Sequence, residues 1–193
     1  MTVEKDKIDA VTHLVIETFR TVMTLLSGKE DFKKLDLETS SKIALEILLF
    51  LLHLCDRQLF CLVGSERRSI IMDGVLENVF TFVETYDENV LIHKFGEKTD
   101  ANVGKHFAYL SKMALSTDFR NTYNERQTEY TAYKNLFAEK DEPLKDTVVW
   151  EAVKKIVLLV GETPVLMMPA MIAVCSDAVI VCTKTLKVIV EGE

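Results

Sequence analysis

The chain of 193 residues is 48% hydrophobic and 27% charged, and its 23 basic and 30 acidic side chains give a formal net charge of −7. This composition excludes a disordered acidic chain, and 7 Gly and 3 Pro are too few for collagen-like proteins, low-complexity proteins or a β-barrel rich in turns. The negative charge also argues against nucleic acid as a partner, because a polyanion is bound by a basic surface.

The N-terminal part of the chain is predicted to form two long helices. Residues 3–26 place apolar side chains, among them Leu25, at the 3.6-residue spacing of one helical face. Residues 37–63 show the same spacing and end at Gly64. Because this second segment is apolar around most of its circumference, we expect it to be the central helix of a bundle.

Helical spacing continues through the middle of the chain. The short link at Gly64 favours antiparallel packing of the helices on either side of it. The charged run 139–146, which contains Pro143, is the best candidate for a domain boundary in a chain otherwise interpreted as one domain, 1–193. The segments predicted after Gly64 cover residues 65–85, 90–95, 100–115, 118–138 and 146–160.

The C-terminal residues 164–190 allow more than one interpretation. The stretch from Val165 to Cys182 has eighteen residues and one charge, which is close to the length of a membrane-spanning helix. The Asp177 carboxylate would cost at least about 2.5 kcal/mol in lipid, so we expect a buried core or subunit-interface segment instead. The last residues are β-branched and suit a strand as well as a helix, but no partner strand is evident and we interpret the tail as helix. The predicted fold is all-α, a bundle-like domain of six to eight helices.

The cysteines indicate a reducing compartment. Cys55, Cys61, Cys175 and Cys182 do not form a Cys-x-x-C pair, which argues against a zinc or redox motif. Cys175 and Cys182 share a predicted helix face, where we expect them to be small buried apolar side chains. The charged N-terminal sequence is not that of a secretory signal. We therefore expect a cytoplasmic protein with no cofactor and no metal site.

A line of ionisable side chains runs along the predicted central helix. At 100° per residue, Glu46, His53 and Arg57 fall within about 40° of one another on an otherwise apolar surface. Buried charges must be paired or hydrogen-bonded, so one interpretation is a structural seam satisfied by neighbouring helices or by solvent. The other is a pocket between helices, in which Arg57 binds an anion and His53 transfers a proton or binds a metal. These three residues are the candidate ligand-binding site.

The segment 118–138 carries a second line, which is made of aromatic residues with Arg126 among them. Aromatic side chains at this spacing usually belong to the core, with tyrosine hydroxyl groups at its rim. An interface and a pocket for an aromatic or quinone-like ligand are the alternatives. The aromatic line comprises Phe119, Tyr123, Tyr130, Tyr133 and Phe137, and the opposite, solvated face is predicted to comprise Glu125, Gln127, Lys134 and Asn135.

The sequence predicts no catalytic residue, since it has no Gly-x-Ser-x-Gly elbow and no phosphate loop. Three hypotheses for function are open. The favoured one is a non-enzymatic helical interaction protein that forms homo-oligomers through apolar helix surface. The second is a small-molecule-binding bundle, enzymatic or not, with Glu46, His53 and Arg57 facing a pocket. The third, against which the net charge argues, is peripheral membrane association through residues 164–190.

Overall fold

The computed structural model describes residues 2–84, 118–136, 138, 144–160 and 164–192. These residues form six α-helices and one short 3-10 helix, and no strand is present among them. The prediction of an all-α bundle is therefore confirmed. The helices are α1 (Thr2–Ser27), α2 (Glu30–Lys33), α3 (Leu37–Glu84), α4 (Asp118–Thr131), α5 (Val148–Val160) and α6 (Pro164–Glu191), and the 3-10 helix is Leu144–Asp146.

The helix α3 is broken at Gly64, where the sequence predicts the end of one helix. Gly64 has φ 78° and ψ 175°, a conformation that residues other than glycine rarely adopt. A continuous helix would separate the Cα atoms of Asp56 and Arg68 by about 18 Å, yet Arg68 Nη2 lies 2.6 Å from Asp56 Oδ2. The chain therefore reverses at Gly64, and the two halves of α3, residues 37–63 and 65–84, run in opposite directions.

The first half of α3 is the centre of the bundle, as predicted. Every residue from 43 to 56 is buried, and one continuous core contains residues from all six helices. The apolar stripe of α1 faces this core with one exception. Leu25, predicted as part of the stripe, is 54% exposed, because it points about 100° away from its buried neighbour Leu26.

The prediction that one helix covers residues 118–138 is wrong in its second part, because α4 ends at Thr131. The carbonyl groups beyond this point have partners elsewhere in the fold. Arg57 donates hydrogen bonds to the carbonyl oxygens of Tyr133 and Lys134, and the first N–H groups of α5 donate to the next two carbonyl oxygens. The four carbonyl groups of residues 133–136 therefore have hydrogen-bond donors although the chain has left the helix.

The C-terminal residues form one long helix, α6, so the helical interpretation of residues 164–190 is confirmed and the strand alternative is wrong. A helix satisfies its own backbone hydrogen bonds, whereas a single strand needs a neighbour. Pro164 occupies the first helical position of α6. A backbone N–H at this position has no carbonyl partner within the helix, so proline costs no hydrogen bond there. The buried side chains of α6 recur at the spacing of one helical face, at Met171, Cys175, Ala178, Val179, Cys182 and Leu186.

The segments predicted at residues 90–95 and 100–115, and most of the boundary candidate 139–146, lie outside the described residues. Within the described part of the chain, one helix, Leu37–Val83, is long and apolar enough to cross a membrane by length and composition. Of its most apolar window, 61% is buried inside the fold, as expected for a helix at the centre of a bundle.

Candidate functional site

The candidate residues Glu46, His53 and Arg57 all contact α4 or the residues just after it. Glu46 is 5% exposed, and its carboxylate accepts hydrogen bonds from Nε and Nη2 of Arg126 at 2.7 and 2.5 Å. This two-point geometry is among the strongest contacts between a carboxylate and a guanidinium group. The bond to Glu46 raises the pKa of Arg126, so Arg126 keeps its charge in the partly buried contact.

A chain of ion pairs continues from Arg126 to α5. Arg126 Nη1 lies 3.1 Å from Glu129 Oε2, and Lys155 Nζ lies 2.8 Å from the same oxygen. Lys155 and Lys154 also contact Glu151, at 3.7 and 2.6 Å. Burial by itself raises the pKa of both glutamates, but the hydrogen bonds and positive charges around them outweigh burial and lower the pKa. Opposite charges therefore join α3, α4 and α5 around the Glu46 end of the polar line.

His53 is 1% exposed and lies in a polar cluster between α3 and α4. Its Nδ1 is 2.6 Å from Gln127 Oε1, so Nδ1 carries the proton and donates a hydrogen bond to the amide oxygen. Burial has the largest effect on the pKa of His53 and lowers it, against the opposing effects of Gln127 and Asp56. The imidazole is therefore neutral at pH 7, and its Nε2 is an acceptor. This Nε2 is buried and has no hydrogen-bond partner among the residues that the structure describes.

Arg57 holds the end of α4 in place. Its Nη1 donates to the Tyr133 carbonyl oxygen at 2.5 Å, and its Nη2 donates to the Lys134 carbonyl oxygen. The chain has left the helix at these two residues, so their carbonyl groups have no intrahelical donor, and Arg57 supplies one to each. Both terminal nitrogens of Arg57 are thus engaged by the main chain.

A cavity of about 280 Å³ lies beside Arg57, where the two halves of α3 meet the end of α4. Asp56 and Arg68 form an ion pair in its wall, and the bond to Asp56 raises the pKa of Arg68. Phe60 is 56% exposed at its edge. Because the wall has two guanidinium groups, one carboxylate and a neutral imidazole, its net charge is positive. The lining residues are His53, Asp56, Arg57, Phe60, Arg68 and Thr131.

The structure separates the three candidate residues into two groups. His53 and Arg57 line the cavity, whereas Glu46 is outside its lining and is bonded to Arg126. The prediction that Gln127 faces solvent is wrong, because α3 covers that side of α4 and Gln127 contacts His53. For Arg126, the only signal in the sequence is its position among aromatic residues, where an unpaired charge would be costly.

The aromatic line of the segment 118–138 belongs only in part to the core. Tyr123 and Tyr130 are buried, and their rings meet those of Phe80 and Phe50 edge to face. Tyr133 is half-buried beyond the end of α4, and its hydroxyl group donates to a carboxylate of α5 at 2.9 Å. The side chains of Phe119 and Phe137 lie outside the described residues.

The cysteines are free thiols. Cys175 and Cys182 are buried on one face of α6, as predicted, and Cys55 is buried on α3, whereas Cys61 is exposed. Burial raises the pKa of Cys175 to about 12, which makes it an unreactive thiol at neutral pH. Among the described residues, no three His, Cys, Asp or Glu side chains are grouped as metal ligands.

Comparison of the chain with protein-family models, with curated proteins and with solved structures gives no match.

Proposed function

We propose that the protein is a non-enzymatic interaction module that forms a homodimer through the exposed face of α6. The observation that carries this proposal is a row of apolar side chains on that face. Ile180, Val181 and Val188 are 45%, 49% and 54% exposed. Apolar side chains of a bundle helix normally face the core, and apolar surface left in water is what an interface buries.

The charges on the same face favour a second copy of the chain as the partner. Asp177 and Lys184 are exposed and seven residues apart, so they lie on the same side of α6. Within the described residues, neither makes an ion pair. When a second α6 packs antiparallel to the first, with a two-fold axis between Ile180 and Val181, each Asp177 lies opposite the partner's Lys184.

The remaining positions agree with this antiparallel arrangement. Ala173 lies opposite the partner's Val188, and Ile180 lies opposite the partner's Val181 at the axis. A parallel arrangement would place each Asp177 beside the partner's Asp177 and each Lys184 beside the partner's Lys184, and like charges in contact oppose association. The face is therefore self-complementary in one orientation, as the interface of a two-fold dimer must be.

We expect this dimer to be weak and reversible. Burying the exposed halves of the three apolar side chains contributes about 1 kcal/mol each, and each exposed ion pair adds less than about 1 kcal/mol. Association itself costs several kcal/mol in lost translational and rotational freedom. The population of the dimer therefore depends on protein concentration in the micromolar range and above.

Analytical ultracentrifugation from micromolar to millimolar concentration tests the proposal. We expect the wild-type protein to change from monomer to dimer as its concentration rises. Asp177→Lys and Lys184→Asp should each weaken the dimer strongly, because like charges then meet on both sides of the axis. An equimolar mixture of these two variants should dimerise, because their altered faces carry opposite charges.

Asp31→Lys on α2 is the matched control for Asp177→Lys, since it makes the same change in net charge at an exposed position outside α6. It should dimerise like the wild type. A wild-type protein that stays monomeric at every concentration contradicts the proposal, as does a dimer that both charge reversals leave intact.

A further inference from the structure

Two residues that line the cavity beside Arg57 have buried polar atoms that the described part of the fold leaves without partners. His53 Nε2 is a buried acceptor in a side chain that is 1% exposed. Arg68 Nε is a buried donor, while Nη2 of the same side chain is bound to Asp56. An unsatisfied buried donor or acceptor is costly. The two atoms therefore indicate a ligand that supplies an acceptor to Arg68 and a donor to His53.

The net positive charge of the cavity wall favours an anionic ligand. Arg57 and Arg68 contribute two positive charges to its wall, Asp56 contributes one negative charge, and His53 is neutral. An anionic ligand balances the remaining positive charge. A carboxylate suits Arg68 Nε in particular, because guanidinium N–H groups form their strongest hydrogen bonds with ionised acceptors.

The Phe60 ring favours a planar ligand. The ring is 56% exposed at the edge of the cavity, although Phe60 lies on the half of α3 at the centre of the bundle. An exposed aromatic ring offers a flat surface on which a planar ligand can stack. The cavity volume of about 280 Å³ is close to the lower limit of small-molecule pockets, which leaves room for one ring with short substituents.

We propose that this cavity binds a small planar organic anion that also carries a hydrogen-bond donor, of which an aromatic hydroxy acid is the simplest example. The ligand's carboxylate accepts from Arg68 Nε, its ring stacks on Phe60, and its hydroxyl group donates to His53 Nε2. The site is independent of the proposed dimer, because every lining residue belongs to α3 or α4 and none to α6.

The test uses 4-hydroxybenzoate as the probe, with isothermal titration calorimetry for affinity and the His53 imidazole NMR signal for location. The spectrum of His53→Gln assigns that signal. We expect saturable binding that shifts the His53 resonance. Two related compounds should bind about tenfold more weakly or worse, because each loses one charge-assisted or buried hydrogen bond. These are 4-hydroxybenzamide, which lacks the negative charge, and benzoate, which lacks the hydroxyl donor.

Two pairs of variants locate the site on the protein. Phe60→Ala should weaken binding of the probe several-fold, whereas Ile70→Ala, at a 52% exposed position of the same helix outside the cavity, should not. Arg68→Lys keeps the charge but lacks Nε, and it should weaken binding about tenfold. Arg67→Lys, one residue away and outside the lining, should bind like the wild type.

Three outcomes overturn the proposal. The first is the absence of saturable binding to the wild-type protein. The second is equal affinity for 4-hydroxybenzoate and 4-hydroxybenzamide. The third is binding that leaves the His53 signal unchanged or that the paired variants affect alike.

Discussion

Arg126 on α4 and Glu46 on α3, 80 residues apart in the sequence, form a two-point ion pair in which only 20% and 7% of the side chains are exposed. A charged pair so deeply placed has lost most of its hydration, and each partner depends on the other for compensation. The pair also begins the chain of contacts that reaches α5 through Glu129. Glu46 is thus a structural member of the polar line, whereas His53 lines the cavity.

Arg126→Met tests this interpretation. It leaves the buried Glu46 carboxylate without its partner, and we expect the free energy of unfolding to fall by about 3 kcal/mol or more. The double variant Glu46→Gln/Arg126→Met should recover part of this loss, because no buried charge remains. Urea unfolding followed by circular dichroism measures both values. Arg120→Met is the matched control on α4.

Arg120 pairs with Glu77 in a contact where both side chains are more than half exposed, and its guanidinium group lies 4.4 Å from the centre of the Phe80 ring. Exposed contacts of these two kinds contribute about 1 kcal/mol or less each, so Arg120→Met should cost less than Arg126→Met. An effect of Arg126→Met no larger than that of Arg120→Met would show that the Glu46 pair contributes nothing.

The buried imidazole of His53 makes stability depend on pH. Because the pKa of His53 is lowered in the folded protein from its ordinary value of 6.5, the unfolded chain binds a proton more readily. Stability is therefore full above about pH 6.5 and decreases as pH falls toward the lowered pKa, by at most about 1.4 kcal/mol per pH unit. The charges that act on His53 are Asp56, Arg57 and Arg68, and Gln127 is its hydrogen-bond partner.

Unfolding free energies measured between about pH 7 and pH 5 check this dependence. His53→Gln should remove part of the slope, because the buried imidazole is then absent. Equal slopes for the wild type and His53→Gln would mean that His53 does not carry the effect.

A Cβ atom at position 64 would meet nothing within 4 Å, so crowding does not require a glycine there. The backbone conformation of Gly64 is what requires glycine. Gly64→Ala forces a φ of 78° on a residue with a side chain, and we expect a loss of about 1–3 kcal/mol in unfolding free energy. Gly28→Ala is the control, because its Cβ would lie at an ordinary 3.4 Å from the Leu25 carbonyl oxygen. A loss at Gly64 no greater than at Gly28 would argue against strain at the reversal of α3.

Gly74 is required by close packing instead. A Cβ atom there would lie 2.6 Å from Ile8 Cδ1 on α1, a distance that real Cβ contacts do not show. Gly74→Ala should therefore destabilise the wild-type protein. In an Ile8→Ala background the same substitution should stabilise it, by up to about 1 kcal/mol, because alanine is the better helix former. A double-mutant cycle by urea unfolding measures this change of sign, and equal effects in both backgrounds would exclude the contact.

Hydrophobic spacing and helix-ending residues are enough to predict the all-α class, the central position of residues 37–63 and the break at Gly64. They also predict α6 as a helix, although its end is rich in β-branched residues. These features depend on side chains within one or two turns of each other, so they can be predicted from local sequence. The same spacing places Glu46, His53 and Arg57 on one line of α3.

The partners of that line could not be predicted in the same way. Arg126 reaches Glu46, and Gln127 reaches His53, only because α4 crosses α3 with this register and this face. The end of α4 at Thr131 also depends on contacts that Arg57 makes across the bundle. A helical period is a local property of the chain, whereas a buried polar group takes its partner from whichever distant segment the packing of the whole bundle brings against it.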